Sequence, residues 1–240
     1  MESRVTIFER IAIIAALPVA LLLVRLATLR VASPIVWWPT IWWFRLRDWL
    51  VSPTPDPIVF VGSSSIRFWS SLARDMAPRP VINRGFGGSR MNQVAYFVEP
   101  LVIRHRPQLV VVYAGENELA GILGSRRSTA EDVLSSFQQF CQKLHAALPA
   151  APIFFLAIKL SPIRSAAWDE MRRANEMIRR YCEADSRRGF IDVEAAMRNP
   201  DGSPRDDLYR WDGIHLNTNG YAIWRDVVLP YLEPGRPRVE

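Results

Sequence analysis

Five short runs of β-branched and aromatic residues punctuate the chain: Ile58 to Val61, Val81 to Asn83, Leu109 to Tyr113, Ile153 to Ile158 and Phe190 to Val193. Each is too short for a helix and too uniformly apolar for a strand with one wet face, a pattern typical of strands covered on both faces. Between them, residues 94–104, 129–148 and 166–187 carry apolar residues at three and four spacing, as in Val133, Phe137, Phe140, Leu144 and Leu148. That is the period of a helix with one buried face. The β-α-β-α order predicts a parallel, doubly wound sheet with helices on both faces, and such sheets bind ligands outside the carboxyl ends of their strands. Functional residues are therefore expected just after the strands.

Composition removes several function classes. With 49% hydrophobic and 22% charged residues the 240-residue chain is neither disordered nor collagen-like. Its 30 basic residues exceed 24 acidic ones, but all except Lys143 and Lys159 are arginine, scattered along the length in nothing denser than pairs such as Arg126/Arg127 and Arg179/Arg180. A nucleic-acid reader concentrates its cations on one element, so no nucleic-acid partner is expected. Cys141 and Cys182 have neither C-x-x-C nor Cys/His ligand spacing, which leaves no indication of a zinc site or a disulfide framework. They read as ordinary buried thiols.

The first 52 residues differ in kind. Ile11 to Val24 is a run of 14 uncharged residues, short of the ~20 that span a bilayer. It is readable as a signal-peptide core, a buried helix, or a membrane helix that continues past Arg25 and Arg30 with those side chains reaching the interface. Five of the nine tryptophans then fall between Trp37 and Trp49, and tryptophan concentrates at the headgroup level of membranes. The preferred reading is an uncleaved N-terminal anchor with a Trp-rich interfacial segment over residues 1–52, a Pro-rich linker over 53–57 and a globular domain over 58–240. The other reading is that the tryptophans cap the globular core. Flanking arginines do not decide which side of the membrane the domain faces.

Three loops follow the first three strands. The first, Gly62-Ser63-Ser64-Ser65-Ile66-Arg67, sets hydroxyls behind a glycine at a helix start. One serine there is usually a cap; three suggest a nucleophile held in a tight turn. The second, Asn83-Arg84-Gly85-Phe86-Gly87-Gly88-Ser89, lacks the registers of dinucleotide and P-loops but offers free backbone N–H groups. The third presents Asn117 between Glu116 and Glu118. Arg67, Arg84 and Arg90, beside these turns, are candidates for holding an anion or for ion pairs. A serine nucleophile needs a base, and the chain has three histidines. His105 and His145 read as solvated. His215 follows Asp212 by three residues, a spacing that lets the carboxylate fix one imidazole nitrogen and leave the other to take a serine proton; Asp212-Gly213 also reads as a plain turn. Trp211 beside it reads as a pocket wall or as packing.

Taken in order, these motifs resemble the SGNH/GDSL-type hydrolases over roughly residues 58–230, in a branch similar to the platelet-activating-factor acetylhydrolase catalytic subunits. The resemblance implies a three-layer α/β/α, flavodoxin-like parallel sheet of five strands, and a serine esterase needing no cofactor or metal. It implies Ser64 as nucleophile with Asp212 and His215, and an oxyanion hole from Ser64, Gly88 and Asn117. Ser63 stands where the family has aspartate, a position that supports the turn. The absence of a long insertion, with only a short loop over 120–128, favours a small acyl group on a lipid or sugar. An O-acyltransferase acting on envelope glycans, or an inactive membrane-tethered binding module, would use the same residues.

Overall fold

The computed structural model describes residues 33–51, 54–121 and 125–232. The expected anchor over Ile11 to Val24 lies outside these residues, and among the described residues no helix is long and apolar enough to cross a membrane.

In chain order the elements are α1 (Trp38–Leu50), β1 (Ile58–Gly62), α2 (Ser64–Arg67), α3 (Leu72–Asp75), β2 (Val81–Gly85), α4 (Met91–Tyr96), α5 (Val98–Leu101), β3 (Leu109–Tyr113), α6 (Glu116–Ala120), α7 (Ala130–Ala147), β4 (Ile153–Leu156), α8 (Trp168–Glu183), β5 (Arg188–Ile191) and α9 (Thr218–Val228). The strands form one parallel sheet in the order β2-β1-β3-β4-β5. The pleat divides their side chains between two cores. Val59, Val61, Val110, Val112, Ile153 and Phe155 pack against α4, α7 and α8, while Ile58, Phe60, Val111, Phe154 and Leu156 face α3 and α9. Both sheet faces are therefore dry, which is why the strand runs are continuous rather than alternating.

Several boundaries moved for identifiable reasons. The stretch expected as one helix over 94–104 is α4 and α5, separated at Phe97, where φ −96° and ψ 19° leave the helical region. Pro100 lacks an N–H and its ring would clash with the Tyr96 carbonyl of a continuous helix. The run to Ile158 leaves the ladder at Leu156, because the Ile158 N–H and C=O are taken by the Asn175 side chain at 2.7 and 2.8 Å. The last strand begins two residues early, at Arg188.

α1 is amphipathic in an unusual sense. Ile41 and Phe44 are buried in the α4–α8 core, the Trp37 indole donates to Gln93 Oε1 at 2.9 Å, and Asp48 pairs with the fully buried Arg84. The opposite face leaves Trp42 65%, Trp43 59% and Trp49 79% exposed. The Trp-rich segment thus caps the core with one side and presents aromatic surface with the other.

Candidate active site

The site lies around the point where strand order reverses, between β1 and β3. β1 ends at Gly62, whose φ of +148° brings the chain so close to its neighbour that a Cβ would lie 1.9 Å from the Tyr113 carbonyl oxygen. Only glycine fits there. The next residue, Ser63, is extended, and its carbonyl accepts the Ile66 and Arg67 N–H groups at 3.1 and 3.0 Å. Ser64 thereby becomes the first residue of α2, with its side chain facing out of the sheet edge. Ser64 Oγ lies 3.1 Å from His215 Nε2, and His215 Nδ1 lies 2.6 Å from Asp212 Oδ2. The other Asp212 oxygen accepts the Ile214 and His215 backbone N–H groups, each at 2.9 Å. Burial raises the Asp212 pKa, but these N–H donors and the imidazole outweigh it and hold the carboxyl at about 2. An ionised Asp212 accepts the hydrogen bond from Nδ1–H, so Nε2 presents a lone pair to Ser64.

The loop carrying Asp212 and His215 arrives from the far end of the chain and is held at several points. Arg210 N–H donates to the His215 carbonyl at 2.7 Å, Phe68 packs edge-on against the imidazole at 4.9 Å, and Tyr221 of α9 donates its hydroxyl to the Ser65 carbonyl at 2.9 Å. The helix after His215 is thus fastened to the helix that begins with Ser64.

In the loop after β2, a Cβ on Gly87 would lie 3.8 Å from Ser64 Cβ, and the next residue, Gly88, adopts φ +82°. Among the described residues, the Ser64 and Gly88 amides donate to no acceptor. Asn117 Nδ2 donates to the Ser89 carbonyl at 2.8 Å, which uses one of its two hydrogens. Its Oδ1 accepts both terminal nitrogens of Arg164 at 3.2 Å, which fixes the NH₂ end of the amide away from Arg164. Arg164 in turn pairs with Glu116 at 3.0 Å. Glu116 is buried and also accepts from Tyr113 at 2.7 Å, Lys159 at 2.7 Å and Ser161 at 2.5 Å. Burial raises its pKa, but Lys159 and Arg164 reverse this and hold it near 2; burial pushes the Lys159 amine down against the pull of Glu116. Glu118 behaves differently. It accepts the Met91 N–H at 2.6 Å, its Oε2 has no partner among the described residues, and burial raises its pKa to about 7.

The structure therefore brings together Ser64, Asp212 and His215; the loop that carries Gly88 approaches Ser64 at Gly87, and Asn117 is bonded to that loop at the Ser89 carbonyl. Two histidines differ from expectation. His105 is not solvated: it lies 3.3 Å from Arg84 and 3.5 Å from Asp48, and burial with the adjacent Arg84 lowers its pKa to about 4. His145 is half-buried and contacts the Ala151 carbonyl at 3.0 Å. Trp211 neither walls the site nor packs, being 98% exposed, while Cys141 and Cys182 are free and buried. Lys159 and Arg164 were missed by sequence reasoning. Lys159 had a signal, a lone cation inside the apolar run Ile153 to Leu160; Arg164 had none.

Residues 56–223 match the GDSL-like Lipase/Acylhydrolase family. A Streptococcus pneumonia protein named for platelet activating factor superposes with a TM-score of 0.72 at 16% identity, over 90% of this chain and 99% of its own. A GDSL-like lipase from Bacteroides thetaiotaomicron gives 0.68 at 17% identity over 80% and 96%. The acetylxylan esterase Axe2 from Geobacillus stearothermophilus gives 0.61 at 14% identity over 78% and 98%. No curated protein matches the sequence. At these identities the structures speak for the fold alone, whereas the family match spans most of the chain: it belongs to the GDSL-like lipase/acylhydrolase family and is a serine carboxylic ester hydrolase.

Proposed function

We propose that the protein hydrolyses small, acetyl-like esters of a lipid or carbohydrate through an acyl-enzyme on Ser64. The observation that carries this reading is the line from Ser64 Oγ through the His215 imidazole to the ionised Asp212. Ser64 Oγ attacks the ester carbonyl as its proton passes to His215 Nε2, and Asp212 stabilises the imidazolium. The tetrahedral oxyanion is met by the Ser64 and Gly88 N–H groups and the second Asn117 N–H. Collapse expels the alcohol, which takes the proton from Nε2. Water then repeats the sequence: His215 removes its proton, the acid leaves and Ser64 Oγ is reprotonated.

Fluorophosphonate labelling of wild type beside Ser64→Ala and Ser65→Ala tests the assignment. Labelling lost only in Ser64→Ala is the expected result, and p-nitrophenyl acetate should be turned over faster than long-chain esters. Absence of labelling in folded wild type would overturn the reading in favour of a binding module, and acylated glycan in place of free acid would make the protein a transferase.

We also propose that this site works at a bilayer surface. The exposed Trp42, Trp43 and Trp49 face of α1 directly follows the apolar sequence of the first 32 residues, and Trp37, at the start of the same segment, lies over the oxyanion loop, where a Cβ on Gly88 would be 3.7 Å from its indole. Co-sedimentation of the full chain with phosphatidylcholine vesicles, lost when residues 1–32 are removed and weakened by Trp42→Ser/Trp49→Ser, is the expected result.

A further inference from the structure

The three arginines beside the active-site turns have different surroundings. Arg84 is fully buried and paired with Asp48. Arg90 is buried and donates to Ser125 Oγ. Arg67 is exposed, lies 5.6 Å from the Phe68 ring centroid, and has no carboxylate within ion-pair distance among the described residues. A Cβ placed on Gly87 would lie 3.2 Å from Arg67 Nη1 and 3.8 Å from Ser64 Cβ, so the guanidinium and the nucleophile flank the same glycine.

Arg67 also forms one wall of a groove of about 690 Å³ between α1 and the α2–β2 edge. The facing wall is Trp43, Phe44 and Arg47 of α1. Arg47 likewise has no carboxylate partner among the described residues and lies 5.7 Å from the Phe44 ring centroid. Among the described residues, no aspartate or glutamate lines the groove. Two unpaired guanidinium groups with aromatic surface between them suit a ligand that has one anionic group on an apolar body. The family match begins at residue 56, so the α1 wall lies outside it.

We infer that this groove receives the part of the substrate remote from the acyl group, and that this part carries a phosphate or carboxylate held by Arg67 and Arg47. The inference rests on the esterase reading of Ser64 and names the substrate class of that site: esters whose alcohol is an anionic amphiphile. Arg67, near Ser64, contacts the anion or the linkage next to it. Arg47 secures its far side, and Trp43 covers the apolar portion.

Two measurements on the full chain separate this from the esterase reading. The first is the ratio of kcat/KM for 4-acetoxyphenyl phosphate to that for 4-methoxyphenyl acetate, each corrected for its rate with hydroxide. The wild-type ratio should exceed one, fall as salt is raised, and drop about tenfold in Arg67→Gln and in Arg47→Gln, mainly through KM. Lysine at either position should recover part of it. The second is calorimetric titration of Ser64→Ala with 4-methoxyphenyl phosphate and, in parallel, with phosphatidylglycerol vesicles. Binding of the soluble phosphate that weakens about tenfold in Ser64→Ala/Arg67→Gln supports a small-molecule anion, while arginine-dependent binding of vesicles alone assigns the anion to a lipid headgroup. A salt-insensitive ratio unchanged by both glutamine variants, with the neutral ester still hydrolysed, would overturn the groove and leave the esterase intact. Arginine-dependent binding without hydrolysis of either ester would leave the groove and sink the esterase reading.

Discussion

Two buried ionic clusters, one beside Asn117 and one under α1, are finished to different degrees. Behind Asn117, both Glu116 oxygens are occupied by Tyr113, Lys159, Ser161 and Arg164. Under α1, Arg84, Asp48 and His105 form a cluster in which Asp48 Oδ2 and Arg84 Nε have no hydrogen-bond partner among the described residues. A fully satisfied cluster holds one geometry, and a partly satisfied one gives up less when its contact opens. The difference suits their positions: the first holds the Asn117 amide through Arg164, and the second fastens α1 to the domain.

Matched isosteric substitutions measure that difference most directly. Glu116→Gln leaves Lys159 buried without its counter-charge and should cost about 3–5 kcal/mol in urea unfolding. Asp48→Asn likewise removes the counter-charge of buried Arg84, but release of α1 lets the guanidinium return to water, so the cost should be limited to about 1–2 kcal/mol, with α1 released ahead of the domain and a red shift of tryptophan emission preceding global unfolding. Equal costs and a single transition for both variants would remove the distinction.

The two regions also carry opposite pH signatures. His105 is held near 4 against an ordinary value of 6.5, so between those pH values the unfolded chain binds a proton that the folded one refuses. Stability from this group is complete above 6.5 and is lost as pH falls through about 4. Glu118 is raised to about 7 from 4.5, so its contribution is complete below 4.5 and is lost as pH rises through 7. Each slope is at most about 1.4 kcal/mol per pH unit, and between 4.5 and 6.5 they oppose one another. Relative to wild type, urea unfolding across this range should therefore show a profile that rises more steeply with pH in Glu118→Gln and less steeply in His105→Asn, with His145, also held below its ordinary value by burial, adding the same rising slope to all three.

Arg164 connects the finished cluster to chemistry. It touches Asn117 Oδ1 rather than the reacting atoms, which makes it a positioning residue. Arg164→Ala should lower kcat about tenfold with KM little changed, less than the roughly hundredfold expected for Asn117→Ala. Arg164→Lys should restore part of the rate. An effect confined to KM would place Arg164 in substrate binding instead.

How much of this could be read from sequence follows from the range of each interaction. The strands, the sheet and the Asp212/His215 pair were legible because each is local, a run of β-branched residues or a three-residue spacing, whereas the choice of Ser64 among three serines and of Gly88 among the loop glycines came from the family resemblance. Glu116 and Glu118 were visible as carboxylates beside Asn117, but nothing in Gly115-Glu116-Asn117-Glu118 tells that one meets Lys159 from 43 residues away and the other accepts the Met91 amide from 27 residues away. Their opposite pKa values arise from contacts between segments that only the fold brings together. His105 was misread for the same reason, because Arg104-His105-Arg106 looks polar until α1 covers it.

The smallest expected effect concerns the departure from the family pattern at Ser63. Its side chain makes no capping bond, and α2 is started by the Ser63 carbonyl instead. An aspartate placed there by Ser63→Asp would add a carboxylate at a helix start, a favourable arrangement worth about 0.3–1 kcal/mol, offset by desolvation because the residue is almost wholly buried. The net change in stability should stay within about 1 kcal/mol, and kcat for p-nitrophenyl acetate should move less than about threefold, because the Ser64–His215–Asp212 line does not pass through residue 63. A gain of an order of magnitude in kcat would show that the serine holds Ser64 away from its best approach to His215, and would move residue 63 from the turn into the chemistry.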